Sequence, residues 1–224
     1  PEFEFPELNK ISLASLKFFT KVTAIGSRKK LALSFRKMRE VPRKGIVVVP
    51  PLLRNEVIEA KVTQGDYLHG YILNSGFSEE VKAWHTTHPQ VCMHFFWDKK
   101  GAPKTVEIDE KLCFHQLDDA KFVQYMAGAK AYATTAGFES VCEAMYLNKP
   151  VLMVPTHIEQ ECNVMDALRS GAGVAADSFD LDKLLEYIPH HANINDFKHW
   201  VQSAESVILF ELTAINTDTI FISI

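Results

Sequence analysis

The 224-residue chain predicts an α/β fold, a parallel sheet with helices on both faces, preceded by a separate helical segment. Three observations carry that expectation. From Gly65 onward, short apolar runs alternate with helical patterns at spacings that suit right-handed crossovers. Ahead of them, Ile11, Leu13, Leu16, Phe18 and Phe19 recur roughly with helical period. Apolar residues make up 47% of the chain, enough to build a core at this length.

Taken in order, residues 10 to about 40 read as one or two helices, broken at Gly26-Ser27. Residues 45–51 read as a short buried strand stopped by Pro50 and Pro51, which suits a linker or crossover. These positions divide the chain into a leading segment, 1–50, and a domain, 51–224. Within the domain, residues 67–73 form the first strand, and Asn74-Ser75-Gly76 leads into a helix opened by Ser78, Glu79 and Glu80. Residues 91–97 and 111–114 are further strands, the second followed by a helix over 118–127. Strand 130–134 leads to helix 138–147, strand 151–154 to helix 159–170, and strand 173–176 to helices over 181–187 and 195–212. Residues 214–224 are β-branched and polar without a clear pattern.

Composition narrows the function classes. No apolar run approaches the ~20 residues of a membrane span. Cys92, Cys113, Cys142 and Cys162 are widely spaced and read as reduced, buried thiols. His85 with His88, and His190 with His191, lack the cysteine or carboxylate partners that would complete a metal set, so no metal is expected. The net charge of −4 conceals an asymmetry, because residues 1–50 carry eleven Lys/Arg against four Glu. The basic stretch 10–44 reads as a solvated helix surface or as a peripheral contact with an anionic membrane, while the acidic remainder argues against nucleic acid. The first residue is Pro1 rather than Met, which reads as a truncated chain with an earlier part missing. The protein is expected in the cytoplasm, with any membrane contact on the inner face. No strand leads into G-x-G-x-x-G, so an ordinary dinucleotide oxidoreductase does not fit.

In a parallel sheet of this kind, ligands bind beyond the carboxyl ends of the strands. One such end is Thr134-Thr135-Ala136-Gly137-Phe138-Glu139-Ser140. Small side chains let a ligand approach the backbone there, and the first amides of the following helix suit a diphosphate. Phe138, Val141, Ala144 and Met145 form the buried stripe of that helix, leaving Ser140 and Glu143 on another face. Glu143 is either a solvated helix residue or an acceptor for a ribose diol. Glu159 and Gln160 open the helix after 151–154, where a carboxylate either complements the helix dipole or, with Gln160, reaches sugar hydroxyls.

The run from Thr134 to Glu143, then Ala144 to Pro155, then Glu159-Gln160 and Asn163, resembles the donor-site signature of inverting GT-B glycosyltransferases. These include the UDP-glycosyltransferases and the peptidoglycan N-acetylglucosaminyltransferase. The resemblance is strong over about 30 residues and collinear from Tyr67, where residues 73–76 match the family's first glycine-rich loop. It implies a Rossmann-like C-terminal half of a GT-B fold, with residues 1–50 left from an N-terminal acceptor domain. It further implies that Thr135, Ala136 and Gly137, with the amides of Phe138, Glu139 and Ser140, hold the diphosphate. Glu143 would bind the ribose, and Glu159 and Gln160 the transferred sugar. Asn74, Ser75 and Gly76 would close over the phosphates, Phe114 and His115 would flank a uracil, and Gln116 would stand beside them.

The implied reaction is inverting, metal-independent transfer from a nucleotide-diphospho-sugar substrate, with no cofactor and with the catalytic base in the missing domain. The chain departs from the signature at Thr135 (usually His), Ala136 (usually Gly) and Glu159 (usually Asp), which leaves sugar identity open. Alternatives are a nucleotide-sugar 2-epimerase and a non-catalytic donor-binding subunit completed by a partner protein.

Overall fold

A computed structural model describes residues 8–38, 45–74 and 76–217, with side chains to residue 214. Ser75, the basic residues Arg39, Arg43 and Lys44, and the end of the unpatterned tail lie outside the described residues. The chain divides into two compact units, Pro1–Leu52 with Asn195–Ile224, and Leu53–Ile194. Residues 195–224 thus group with the leading segment, whereas the sequence reading placed them in the domain 51–224.

In the first unit, helix α1 (Lys10–Thr23) is capped by Asn9, whose Oδ1 accepts from the amides of Ile11 and Ser12. The helical reading of residues 10–40 then needs correction. Strand β1 (Lys30–Leu33) pairs in parallel with β2 (Ile46–Val49), in register from Lys30 opposite Ile46. The four residues Lys-Leu-Ala-Leu carry no strand pattern of their own, so the pairing comes from tertiary contact. Two further helices, α8 (Asn195–Gln202) and α9 (Ala204–Thr217), replace the single helix expected over 195–212. Trp200 Nε1 donates to the Ser34 carbonyl at 3.0 Å, and Lys29 pairs with Glu211 at 2.7 Å.

The second unit contains a seven-stranded sheet in the order β5-β6-β4-β3-β7-β8-β9. Its strands are β3 (Tyr67–Ile72), β4 (Cys92–Trp97), β5 (Thr105–Glu107), β6 (Leu112–Gln116), β7 (Ala131–Thr134), β8 (Val151–Met153) and β9 (Gly173–Ala175). All are parallel except β5, an edge strand too short to show a sequence period, which runs antiparallel to β6. Its helices are α2 (Asn55–Ile58), α3 (Phe77–Thr87), α4 (Asp119–Gly128), α5 (Phe138–Tyr146), α6 (Ile158–Arg169) and α7 (Leu181–Tyr187). Among the described residues no helix is long and apolar enough to cross a membrane.

The two sheet faces differ in chemistry. One is mainly apolar, with Leu68, Ile72, Met93, Phe95, Trp97, Leu112 and Phe114 packed against Val81, Phe179, Leu181 and Leu184. Gly70 is required on this face, because a Cβ there would stand 2.1 Å from the Phe95 ring. The other face is aromatic and polar. His69 is completely buried, stacked on Tyr132 with ring centres 5.2 Å apart and edge-on to Phe96 and Phe122. Beside it His94 Nδ1 lies 3.1 Å from His115 Nε2, and Thr105 Oγ1 lies 3.1 Å from His115 Nδ1.

Candidate functional site

The strand order reverses at β3. The chain builds β4 and β6 on one side of it and then returns to build β7, β8 and β9 on the other. At such a switch point two successive crossovers leave in opposite directions and open a crevice at the carboxyl edge. The loops that flank this crevice are residues 73–76 after β3 and residues 135–137 after β7. Because Tyr71 of β3 stands opposite Thr134 of β7, the two loops are neighbours. Sequence reasoning singled out both.

The loop after β7 is built from buried small residues. Thr135 is 2% exposed and Ala136 fully buried, with Ala136 in the left-handed region at φ 61°. Its carbonyl accepts from Asn163 Nδ2 at 3.2 Å, which ties the loop to α6. Gly137 takes the N-cap position of α5 and no side chain caps the helix. Ser140 Oγ donates back to the Gly137 carbonyl at 3.3 Å, while Glu139 points to solvent. Under this helix the Tyr132 phenol, pushed up by burial, sits beside the hydroxyls of Thr134 and Ser140. Across the crevice Asn74 Oδ1 accepts from the Gly76 amide at 2.9 Å, a local turn that leaves Asn74 and Gly76 exposed.

Glu143, in the second turn of α5, is 6% exposed. Its carboxylate accepts two hydrogen bonds from Arg54, from Nε at 2.6 Å and from Nη2 at 3.0 Å. Arg54 Nη1 also lies 3.4 Å from Asp119 at the start of α4. Burial pushes the Glu143 carboxyl up, and the hydrogen bonds and charge of Arg54 pull it back only in part. The guanidinium in turn is held more firmly protonated, first by its hydrogen bond to Glu143. Sequence reasoning missed Arg54. It stands 89 residues before its partner, just after the segment 45–51 read as a crossover, and no local pattern marks it.

After β8, Gln160 Oε1 accepts from the Thr156 amide at 2.8 Å and from Thr156 Oγ1 at 2.7 Å. Gln160 is thereby buried and fixed, whereas Glu159 in the first turn of α6 is exposed. The aromatic pair expected to flank a base is placed elsewhere. Phe114 is fully buried and stacks on Trp97 with ring centres 4.6 Å apart, so it offers no face to a ligand and that expectation is corrected. His115 is 4% exposed and engaged with His94 and Thr105 on the opposite face of the sheet. Gln116 is directed at the carbonyls of Lys99 and Ala102, bracing the loop before β5. Among the described residues no three His, Cys, Asp or Glu side chains converge as metal ligands.

A family model described as glycosyl transferase family 1 matches residues 4–190. Among solved structures, the chain is similar to the glycotransferase of kitacinnamycin, at 15% identity and a TM-score of 0.58, over 82% of this chain and 54% of that one. It is similar to CalG4, the calicheamicin glycosyltransferase, at 12% identity and a TM-score of 0.57, over 94% and 60% of the two chains. Spinosyn forosaminyltransferase SpnP gives 10% identity and a TM-score of 0.51, over 90% and 60%. The chain thus spans between 54% and 60% of the length of these structures, and the likeness establishes the fold. No curated protein matches the sequence.

Proposed function

Because the chain belongs to glycosyl transferase family 1, we propose that it supplies the donor-binding part of an enzyme that transfers a sugar from a UDP-sugar to an acceptor hydroxyl. One observation carries this reading: the buried small-residue loop 135–137 and the uncapped start of α5 lie at the switch point of the sheet, one turn before a buried carboxylate. The amides of residues 138–140 would receive the diphosphate, and Glu143 the ribose. Asn74, Ser75 and Gly76 would close over the phosphates, and Glu159 with Gln160 would meet the sugar. Negative charge that develops on the departing diphosphate is then stabilised by oriented amides and hydroxyls, without a metal. Displacement occurs with inversion at the anomeric carbon. The acceptor hydroxyl loses its proton to a base in a separate acceptor domain, to whose end residues 1–50 belong. On this reading the chain alone binds donor but transfers sugar poorly.

Calorimetric titration with UDP, TDP, GDP, ADP and NAD tests the reading. UDP is expected to bind best, and Glu143→Ala to weaken it by about 1–3 kcal/mol, the usual range for a lost charged hydrogen-bond partner. Equal or absent binding of all five, or a Glu143→Ala variant as tight as wild type, would remove its basis.

A further inference from the structure

A diphosphate site at the start of α5 meets an electrostatic obstacle in its own helix. Glu143 lies five residues beyond Phe138, about 7 Å along the axis. An ionised, buried carboxylate at that range opposes any anion held by the first amides. The structure contains the answer in Arg54. Its Nε and Nη2 both serve Glu143, its Nη1 faces Asp119, and its guanidinium carbon lies 6.0 Å from the Phe122 ring centre. The completely buried Val57 fixes the short helix α2 that follows, which touches both α4 and α5. The guanidinium is therefore held in one orientation, with its directed donors on Glu143.

Resting on the donor-site reading above, we infer that Arg54 is a positioning residue that acts through Glu143. It keeps that carboxylate ionised and aimed while cancelling its charge, so an acidic group and a bound anion can share one helix. The ligand class it serves is a nucleoside diphosphate: the anion needs the charge cancelled, and the ribose needs the carboxylate ionised. Without Arg54, burial together with the Glu139 and Asp119 charges would push the Glu143 carboxyl further up, and the group would protonate more readily or repel the phosphates when ionised.

Inorganic pyrophosphate lacks a ribose and reads the electrostatic part by itself. Its affinity and that of UDP would be measured calorimetrically for wild type, Arg54→Met, Arg54→Lys and the Arg54→Met/Glu143→Gln double variant. At about pH 8, Arg54→Met is expected to weaken pyrophosphate about tenfold, and the double variant to return it to within about threefold of wild type. Arg54→Lys, which keeps the charge, should stay near wild type. As the pH falls, Arg54→Met should regain pyrophosphate affinity relative to the double variant, because only it retains the buried Glu143 carboxyl; Glu139 and Asp119 are common to both. A merely structural role would produce no such pH signature. An equal loss in Arg54→Met and in the double variant would mean that Arg54 touches the phosphates itself, and would overturn the inference. Unchanged pyrophosphate binding in Arg54→Met would overturn it as well. If Arg54→Met does not fold, the Arg54→Lys and double variants, with no uncompensated buried carboxylate, decide by the same comparison. A wild-type chain that binds neither UDP nor pyrophosphate would instead sink the donor-site reading, and this inference with it.

Discussion

Acidification is expected to destabilise the protein steeply through His69. This imidazole is completely buried among Tyr132, Phe96 and Phe122, and burial pushes its pKa down from 6.5 to about 3. In the unfolded chain it takes up a proton near pH 6.5, whereas in the fold it stays neutral until far lower pH. Its stabilising effect is therefore fully present above 6.5 and is lost as the pH falls toward 3, by about 1.4 kcal/mol for each pH unit. His115, pushed down to about 4 by burial and by the nearby Lys121 charge, acts in the same direction. Urea unfolding at a series of pH values, followed by tryptophan fluorescence, would show the slope. His69→Phe should flatten it by close to one proton, and an identical slope in that variant would refute the assignment.

The second large effect is expected at Lys149. Asn148, in the left-handed region at φ 54°, ends α5 and turns the chain so that Lys149 points inward. Its Nζ donates to the Thr63 carbonyl at 2.7 Å and to the Ala129 carbonyl at 2.8 Å, and the residue is only 4% exposed. It thereby fastens the segment before β3 to the end of α4. Burial lowers its pKa to about 8, so it remains mainly charged at neutral pH. Methionine would fill the same space but leave both carbonyls without a donor. Lys149→Met is expected to cost about 2–4 kcal/mol, since a charged hydrogen bond contributes ~1.5–3 kcal/mol and the relief of a buried charge offsets part. A urea midpoint equal to or above that of wild type would show that the desolvated ammonium outweighs its two bonds.

Much of the second unit was legible in the sequence, because strands buried on both faces and helices with one buried stripe leave distinct marks. The loop 134–140 was legible for another reason: a run of small residues between a strand and a helix has few other uses. What was hidden depended on distant partners. β1 exists through its pairing with β2, and its sequence Lys-Leu-Ala-Leu fits a helix equally well. Phe114 was misplaced because Leu112 and Phe114 face one side of the sheet while Cys113 and His115 face the other, and both sides are covered. An aromatic residue at the end of such a strand gives no sign of which layer it enters. Arg54 followed a Pro-Pro pair that suggested only a connection, and its partner Glu143 lies 89 residues later, on a helix.

The left-handed backbone at Ala136 has a thermodynamic consequence for the loop that contains it. Glycine would adopt φ 61° without strain, whereas alanine gives up about 1–2 kcal/mol to hold it. In return, alanine has fewer conformations to lose, and its methyl group is fully buried where a glycine would leave room for movement. A loop held this way has little conformational freedom left to lose. On the donor-site reading proposed above, little ordering entropy would then oppose association.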